Sequence, residues 1–305
     1  MNSLKGRDFI DVSDLEPIQL RRILDLGHQI KAGRWREKPL EGRHIAMLFQ
    51  RPSHRTRVSF EVGIARLGGS ITTLTGQDVQ LGFRESVSDA ARVLDRYVDG
   101  VVARLRSHAD LLQLASASDK PVINALTDRS HPCQVLADLM TMEEVRGELS
   151  EQHVVYIGDG NNIANSLIEG SALAGFNLKV ISPPGYHPDQ DVMERARRIN
   201  SNAHQVELTE DIGGLENATV IYTDVWASMG QEDERAARHK AFGAYQVSQK
   251  VMDLAPKAVF MHCLPAHRGE EVTDAVIDGK RSVVFQQAEN RLYAQMALMS
   301  ELFAP

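Results

Sequence analysis

The run Ser53-His54-Arg55-Thr56-Arg57 crowds two hydroxyls, an imidazole and two guanidinium groups into five residues. It follows the apolar stretch Ile45-Ala46-Met47-Leu48-Phe49 and opens a helix-like segment that ends at Gly68-Gly69. Ser53 is a favoured N-cap residue, and the first-turn N–H groups of a helix have no partners within it. The helix dipole draws an anion to the same end, so a phosphate is the natural ligand. Arg55 and Arg57 add forked donors suited to phosphate oxygens. A capped helix with solvated arginines has the same sequence, but cations in a first turn oppose the dipole. A bound anion removes that conflict.

Other chemistry-bearing residues are spread along the chain. His131-Pro132-Cys133-Gln134 opens a second helix; His131 reads there as a helix-entry residue, because proline is common at the first helical position, and Gln134 shares its face one turn on. Asp224-Val225-Trp226-Ala227-Ser228-Met229-Gly230 and His262-Cys263-Leu264-Pro265 each follow a strand, and Glu289-Asn290-Arg291 lies in the last helix. By type alone Cys263 is a small buried hydrophobe and Asp224 a cap or turn residue. Both fall at carboxyl ends of strands, where open α/β sheets bind ligands. Ala227–Gly230 suits a lid hinge or a plain loop. Gly158-Asp159-Gly160-Asn161-Asn162-Ile163-Ala164 mimics a dinucleotide-binding turn, yet the next strand ends at Ser182-Pro183-Pro184 without the acidic residue that would hold an NAD ribose. NAD is therefore not expected.

Taken together and in this order, from about Leu4-Lys5-Gly6-Arg7-Asp8-Phe9 to the C-terminal helix, these motifs resemble the aspartate/ornithine carbamoyltransferase family. The resemblance implies attack by a neutral amine on the carbamoyl carbon of carbamoyl phosphate, with no metal or organic cofactor. It implies that Ser53, His54, Arg55, Thr56, Gln80, Leu264 and Arg291 hold carbamoyl phosphate. Arg104, His131 and Thr56 would donate to the carbonyl oxygen, where negative charge develops, and Gln134 would orient the amide. Asp224 and Cys263 would meet the side-chain amine of ornithine, Asn162 its amino-acid end, and Ser228 and Met229 would belong to a closing loop. Arg104, His131, Asp224 and Cys263 are the expected catalytic set, with Cys263 also touching carbamoyl phosphate. The implied assembly is a trimer or a multiple of trimers, in which Gln80 reaches a neighbour's site. Asp224, the Ser228–Gly230 loop and Cys263 favour ornithine over aspartate; a modified ornithine or a diamine fits the same motifs. The chain departs from the family pattern at His54, Phe83 and Arg84, all near the phosphate-binding elements.

The elements that must position these residues follow from periodicity. Short apolar runs alternate with amphipathic segments, the pattern of parallel sheets covered on both faces. Strands are expected near 43–49, 70–74, 100–104 and 121–126, then near 153–158, 177–182, 205–209, 219–225, 258–263 and 282–285. The fold class is α/β, two doubly wound domains; the resemblance implies that 1–147, joined by a C-terminal helix 286–305, binds carbamoyl phosphate and that 148–285 binds ornithine. Ser86-x-x-Asp89 reads as a capping box, and Gly175 as the close of the helix beginning near Asn162. At 305 residues with 43% hydrophobic and 25% charged residues, the chain can bury two cores. A net charge of −7 argues against a nucleic-acid surface. Cys133 and Cys263 lack metal-ligand or disulfide-framework spacing, and no run reaches membrane-spanning length, so a reduced, cytoplasmic setting is expected.

Overall fold

The computed structural model describes residues 3–76, 81, 85–199, 206–227 and 232–304. The chain forms two compact units, Met1–Met140 with Asn290–Pro305, and Thr141–Glu289. These changeovers fall inside the helices Pro132–Arg146 and Val284–Leu302.

The first unit holds β1 (His44–Phe49), β2 (Ser70–Thr75), β3 (Gly100–Arg104) and β4 (Val122–Leu126) in the order β2-β1-β3-β4, all parallel. β1 and β3 are almost continuously apolar because helices cover both faces of a central parallel strand. The order reverses between β1 and β3, whose carboxyl ends carry the Ser53 turn and Arg104. The β3–β4 register shifts between Ala103 and Arg104. Such an irregularity re-aims a side chain at a strand end.

The second unit contains β5 (His153–Ile157), β6 (Asn177–Ile181), β7 (Val206–Thr209), β8 (Val220–Tyr222) and β9 (Val259–Met261), parallel in the order β7-β6-β5-β8-β9. Its reversal point lies between β5 and β8. Ile157, Ile181, Ile221 and Phe260 help form the core there. Asn161 and Asp224 follow the two strands that flank the reversal, the place where such sheets bind ligands.

The expected strand at 282–285 is not one. Phe260 donates its N–H to the Arg281 carbonyl and accepts from Val283 N–H, a single bridge, and the last helix already begins at Val284. A short β-branched run ahead of a helix has no periodicity of its own to separate the two. Within the first unit this last helix packs tightly. A Cβ at Gly100 would stand 2.4 Å from the Phe303 ring, and one at Gly63 3.2 Å from Met296. Ser86 caps its helix by accepting from Asp89 N–H, but the Asp89 carboxylate turns to Arg92, so the box is half made. Gly175 closes the Asn162–Ala174 helix in the left-handed conformation, φ 81°. Among the described residues no helix is long and apolar enough to cross a membrane.

Candidate active site

In the first unit three elements converge on a buried cationic cluster. The helix His54–Arg66 is capped by Ser53, whose Oγ accepts from Thr56 N–H at 3.4 Å, and Thr56 is buried in its first turn. Arg291, from the last helix, donates to Thr56 Oγ1 and to Gln134 Oε1, each at 3.0 Å. Gln134 is held from behind by its own donation to Asp138 at 2.8 Å. That bond leaves the Gln134 oxygen facing Arg291 and fixes which end of the amide is the acceptor.

Arg104 and His131 are buried beside this network. Burial, then Arg291, Arg104 and Arg55, hold His131 well below its ordinary value of 6.5. The imidazole is therefore neutral, and a neutral donor surrounded by guanidinium groups suits an oxygen that gains charge during reaction. A dianionic phosphate is the ligand that three such cations would hold.

One expectation changes here. Arg57 turns away from the cluster, bonding Glu61 at 2.8 Å on the exposed side of its helix, because the residue one turn on offers a carboxylate. His54 is exposed at the helix start. Cys133 is structural: buried, it donates to the Asn124 carbonyl, and burial pushes its thiol up to about 12. A cavity of about 520 Å³ in this unit is lined mainly by apolar residues such as Leu48, Leu74, Val93 and Tyr97, and holds none of the expected ligand contacts.

In the second unit Asp224 is neither a helix cap nor a turn residue. Its Oδ2 accepts from Asn161 Nδ2 at 2.8 Å and its Oδ1 from the Cys263 thiol at 3.1 Å. Asn161 is itself locked, since its Oδ1 accepts from Ile163 and Ala164 N–H at 2.9 and 3.2 Å as the N-cap of the helix. Thus the helix start fixes the amide, and the amide orients the carboxylate. Asn162, the expected ornithine contact, is half-buried at the helix's first position.

Asn161 escaped sequence reading because two adjacent asparagines leave the cap ambiguous by one residue. Arg238 escaped it too. This buried arginine bonds Asp159 at 2.7 Å, the Trp226 carbonyl at 2.9 Å and Glu234 at 2.9 Å, and lies over the Tyr186 ring. Nothing in a helical Arg-Ala-Ala-Arg run marks one arginine as buried.

Gly160 explains the false dinucleotide signature. A Cβ there would stand 2.2 Å from the backbone of His187 and Pro188, and Gly160 N–H donates to the Tyr186 carbonyl. The glycine admits the chain's own loop where a pyrophosphate would have to lie.

Cys263 is half-buried, and Leu264 takes φ 56°, a left-handed conformation costly for a branched residue. Asp224, His262 and Cys263 each bring a ligand atom within 4.8 Å of the others, a spacing that could serve a metal ion. Both ring nitrogens of His262 are already engaged, with Leu264 N–H and Glu271, and the Cys263 thiol with Asp224. The trio is accordingly a hydrogen-bond network. Gln80, Ser228, Met229, Phe83 and Arg84 lie outside the described residues.

Two family models match the chain: the carbamoyl-P binding domain of aspartate/ornithine carbamoyltransferase over residues 7–144, and its Asp/Orn binding domain over 150–302. The ornithine carbamoyltransferase of Oceanobacillus iheyensis is 48% identical, covering 99% of this chain and 95% of its own length. That of Thermococcus kodakarensis is 49% identical, covering 98% and 96%. Among solved structures, ornithine carbamoyltransferase from Pyrococcus furiosus is similar with a TM-score of 0.94 and 47% identity over 99% of both chains. The anabolic enzyme of Campylobacter jejuni has a TM-score of 0.91 at 34% identity, over 96% of this chain and 97% of its own.

Proposed function

Because the chain belongs to the aspartate/ornithine carbamoyltransferase family, we infer that it transfers the carbamoyl group of carbamoyl phosphate to the δ-amine of L-ornithine, giving L-citrulline and phosphate. The observation that carries this reading is Arg291 tying Thr56 to Gln134 beside a neutral, buried His131, in a chain similar over its whole length to ornithine carbamoyltransferases. In this reading the first-turn N–H groups behind Ser53 and the guanidinium of Arg55 take the phosphate, with Gln80 and His54 at its edge. Arg104, His131 and Thr56 donate to the carbamoyl oxygen, and Gln134 orients the carbamoyl amide.

Ornithine enters with its side-chain amine towards Asp224 and Cys263. Asn162, Ser228 and Met229 hold its amino-acid end. The amine lone pair attacks the carbamoyl carbon, and the donors stabilise the charge gathering on oxygen. The C–O bond to phosphate then breaks, its electron pair leaves with phosphate, and the nitrogen gives up one proton to the departing phosphate. Positioning and charge supply the acceleration. A dicarboxylate acceptor would set its own charge against Asp224, already fixed by Asn161 and Cys263. The working form is a cytoplasmic trimer or multiple of trimers whose Gln80 completes a neighbour's site.

The test is citrulline formation from carbamoyl phosphate and ornithine, compared with carbamoylation of putrescine, acylated ornithines and aspartate. Ornithine should give the highest kcat/KM. A higher value for any of the other acceptors would overturn the assignment.

A further inference from the structure

The strand-end segment His262–Leu264 is governed by a fully buried carboxylate, that of Glu271. Leu264 N–H donates to His262 Nδ1 at 2.8 Å, so that nitrogen carries a lone pair and no proton. The ring's proton is therefore on Nε2, which lies 3.1 Å from Glu271 Oε1. Glu271 accepts, and by accepting it selects this tautomer over the one that would aim an N–H at the Leu264 N–H.

Both side chains are fully buried. The same Glu271 oxygen also accepts from His267 N–H at 2.6 Å, so one carboxylate holds the loop on both sides of Leu264. Its other oxygen has no hydrogen-bond partner among the described residues. The Glu271 backbone is fixed in turn, since its carbonyl accepts from Val247 N–H. What this arrangement maintains is a left-handed leucine at φ 56°, next to the Cys263 thiol that reaches Asp224. Such a conformation persists only where its surroundings enforce it.

We propose that Glu271 is a positioning residue for carbamoyl transfer, acting through the Nε2–H tautomer of His262 to hold Leu264 and Cys263 in register with the reacting groups. The proposal rests on the functional reading above, in which Cys263 and Leu264 touch substrate. It assigns a task to two residues outside the expected ligand contacts. A residue that served stability alone would show the same burial but would leave the turnover of folded protein unchanged.

The test combines the full-length chain, its Glu271→Met and Glu271→Gln variants, urea midpoints, steady-state kinetics and two-bond ¹H–¹⁵N correlation of the histidine rings. Wild type should show His262 protonated on Nε2 only. Glu271→Met removes the acceptor at similar volume, so the Nδ1–H tautomer should appear. Its kcat should fall on the order of 100-fold, the loss expected from about 1 Å of misplacement, while KM for carbamoyl phosphate moves less than about threefold. Glu271→Gln keeps an accepting oxygen and should restore both the tautomer and most of kcat. Nδ1–H in wild type, an unchanged kcat in folded Glu271→Met, or no rescue by glutamine would each overturn the proposal. Should Glu271→Met fail to fold, the wild-type tautomer and the glutamine variant still decide. A wild type that shows the expected tautomer but does not carbamoylate ornithine would instead refute the functional reading.

Discussion

Arg238→Met removes the cation of a buried ion pair, and the structure sets an upper limit on the electrostatic damage. Asp159 is held up at about 6 from an ordinary 3.8, with burial the largest cause, Arg238 lowering it, and Asp224 and Glu234 raising it. A carboxylate whose folded value is raised favours the folded state at low pH and costs stability as pH rises through that value. At pH 7 wild type already carries a cost of about 3 kcal/mol from this group, at 1.36 kcal/mol per unit. Without Arg238 the carboxyl rises further, and the limiting case is a carboxyl that stays protonated at neutral pH. The total cost then cannot exceed that of protonating a 3.8 acid at pH 7, about 4 kcal/mol. The added electrostatic loss is therefore on the order of 1 kcal/mol at pH 7, below the roughly 3 to 5 kcal/mol typical when a buried pair loses one partner and the charge has no escape. Loss of the bond to the Trp226 carbonyl adds roughly 1.5 to 3 kcal/mol at every pH. Urea unfolding of both proteins from pH 5 to 8 should show a constant deficit below pH 5.5. Above pH 6 the deficit should grow by about 1.4 kcal/mol per pH unit. A deficit that is large and flat across the range would show that Asp159 stays ionised without Arg238, and the reasoning would fail.

Four further outcomes follow from the same geometry. Asp224→Asn should depress kcat with ornithine while leaving carbamoyl phosphate affinity, measured by equilibrium binding, nearly intact; equal damage to both ligands would make Asp224 a structural residue. Gly160→Ala drives a methyl into the His187–Pro188 backbone and should lower stability by at least about 1 to 3 kcal/mol, and a variant as stable as wild type in thermal unfolding would contradict the close approach. His131 is held below 6.5, so the folded state binds fewer protons there and stability should fall as pH drops below 6.5; a positive imidazole signal for His131 at pH 6.5 would refute its neutral assignment. If Gln80→Ala and Arg55→Ala are separately inactive, mixed oligomers should regain activity by gathering both lesions into shared sites, and confirmed hybrids without activity would rule out site sharing.

How much of this was legible in the sequence depends on where each side chain's partner lies along the chain. Strand positions came from local apolar runs, which is why nine were placed to within a few residues. The tenth, at 282–285, fell where a β-branched run meets a helix start and local pattern cannot separate them. Thr56, Gln134 and Arg291 were singled out because their motifs are specific as a set, yet the bonds that join them span 157 and 235 residues and no periodicity reports them. Arg57 shows the converse error: its type suited phosphate, but Glu61 one turn away satisfied it first. The residues missed altogether, Asn161, Arg238 and Glu271, share one property. Each acts on another protein group, whether Asp224, Asp159 or His262, so its importance is set by a distant partner rather than by its own chemistry. Two of these three control the atoms that Asp224 and Cys263–Leu264 present, and Arg238 ties Asp159 to the backbone just beyond Asp224. Substitutions at them should therefore shift turnover through geometry, and a search confined to residue types suited to binding substrate would pass over them.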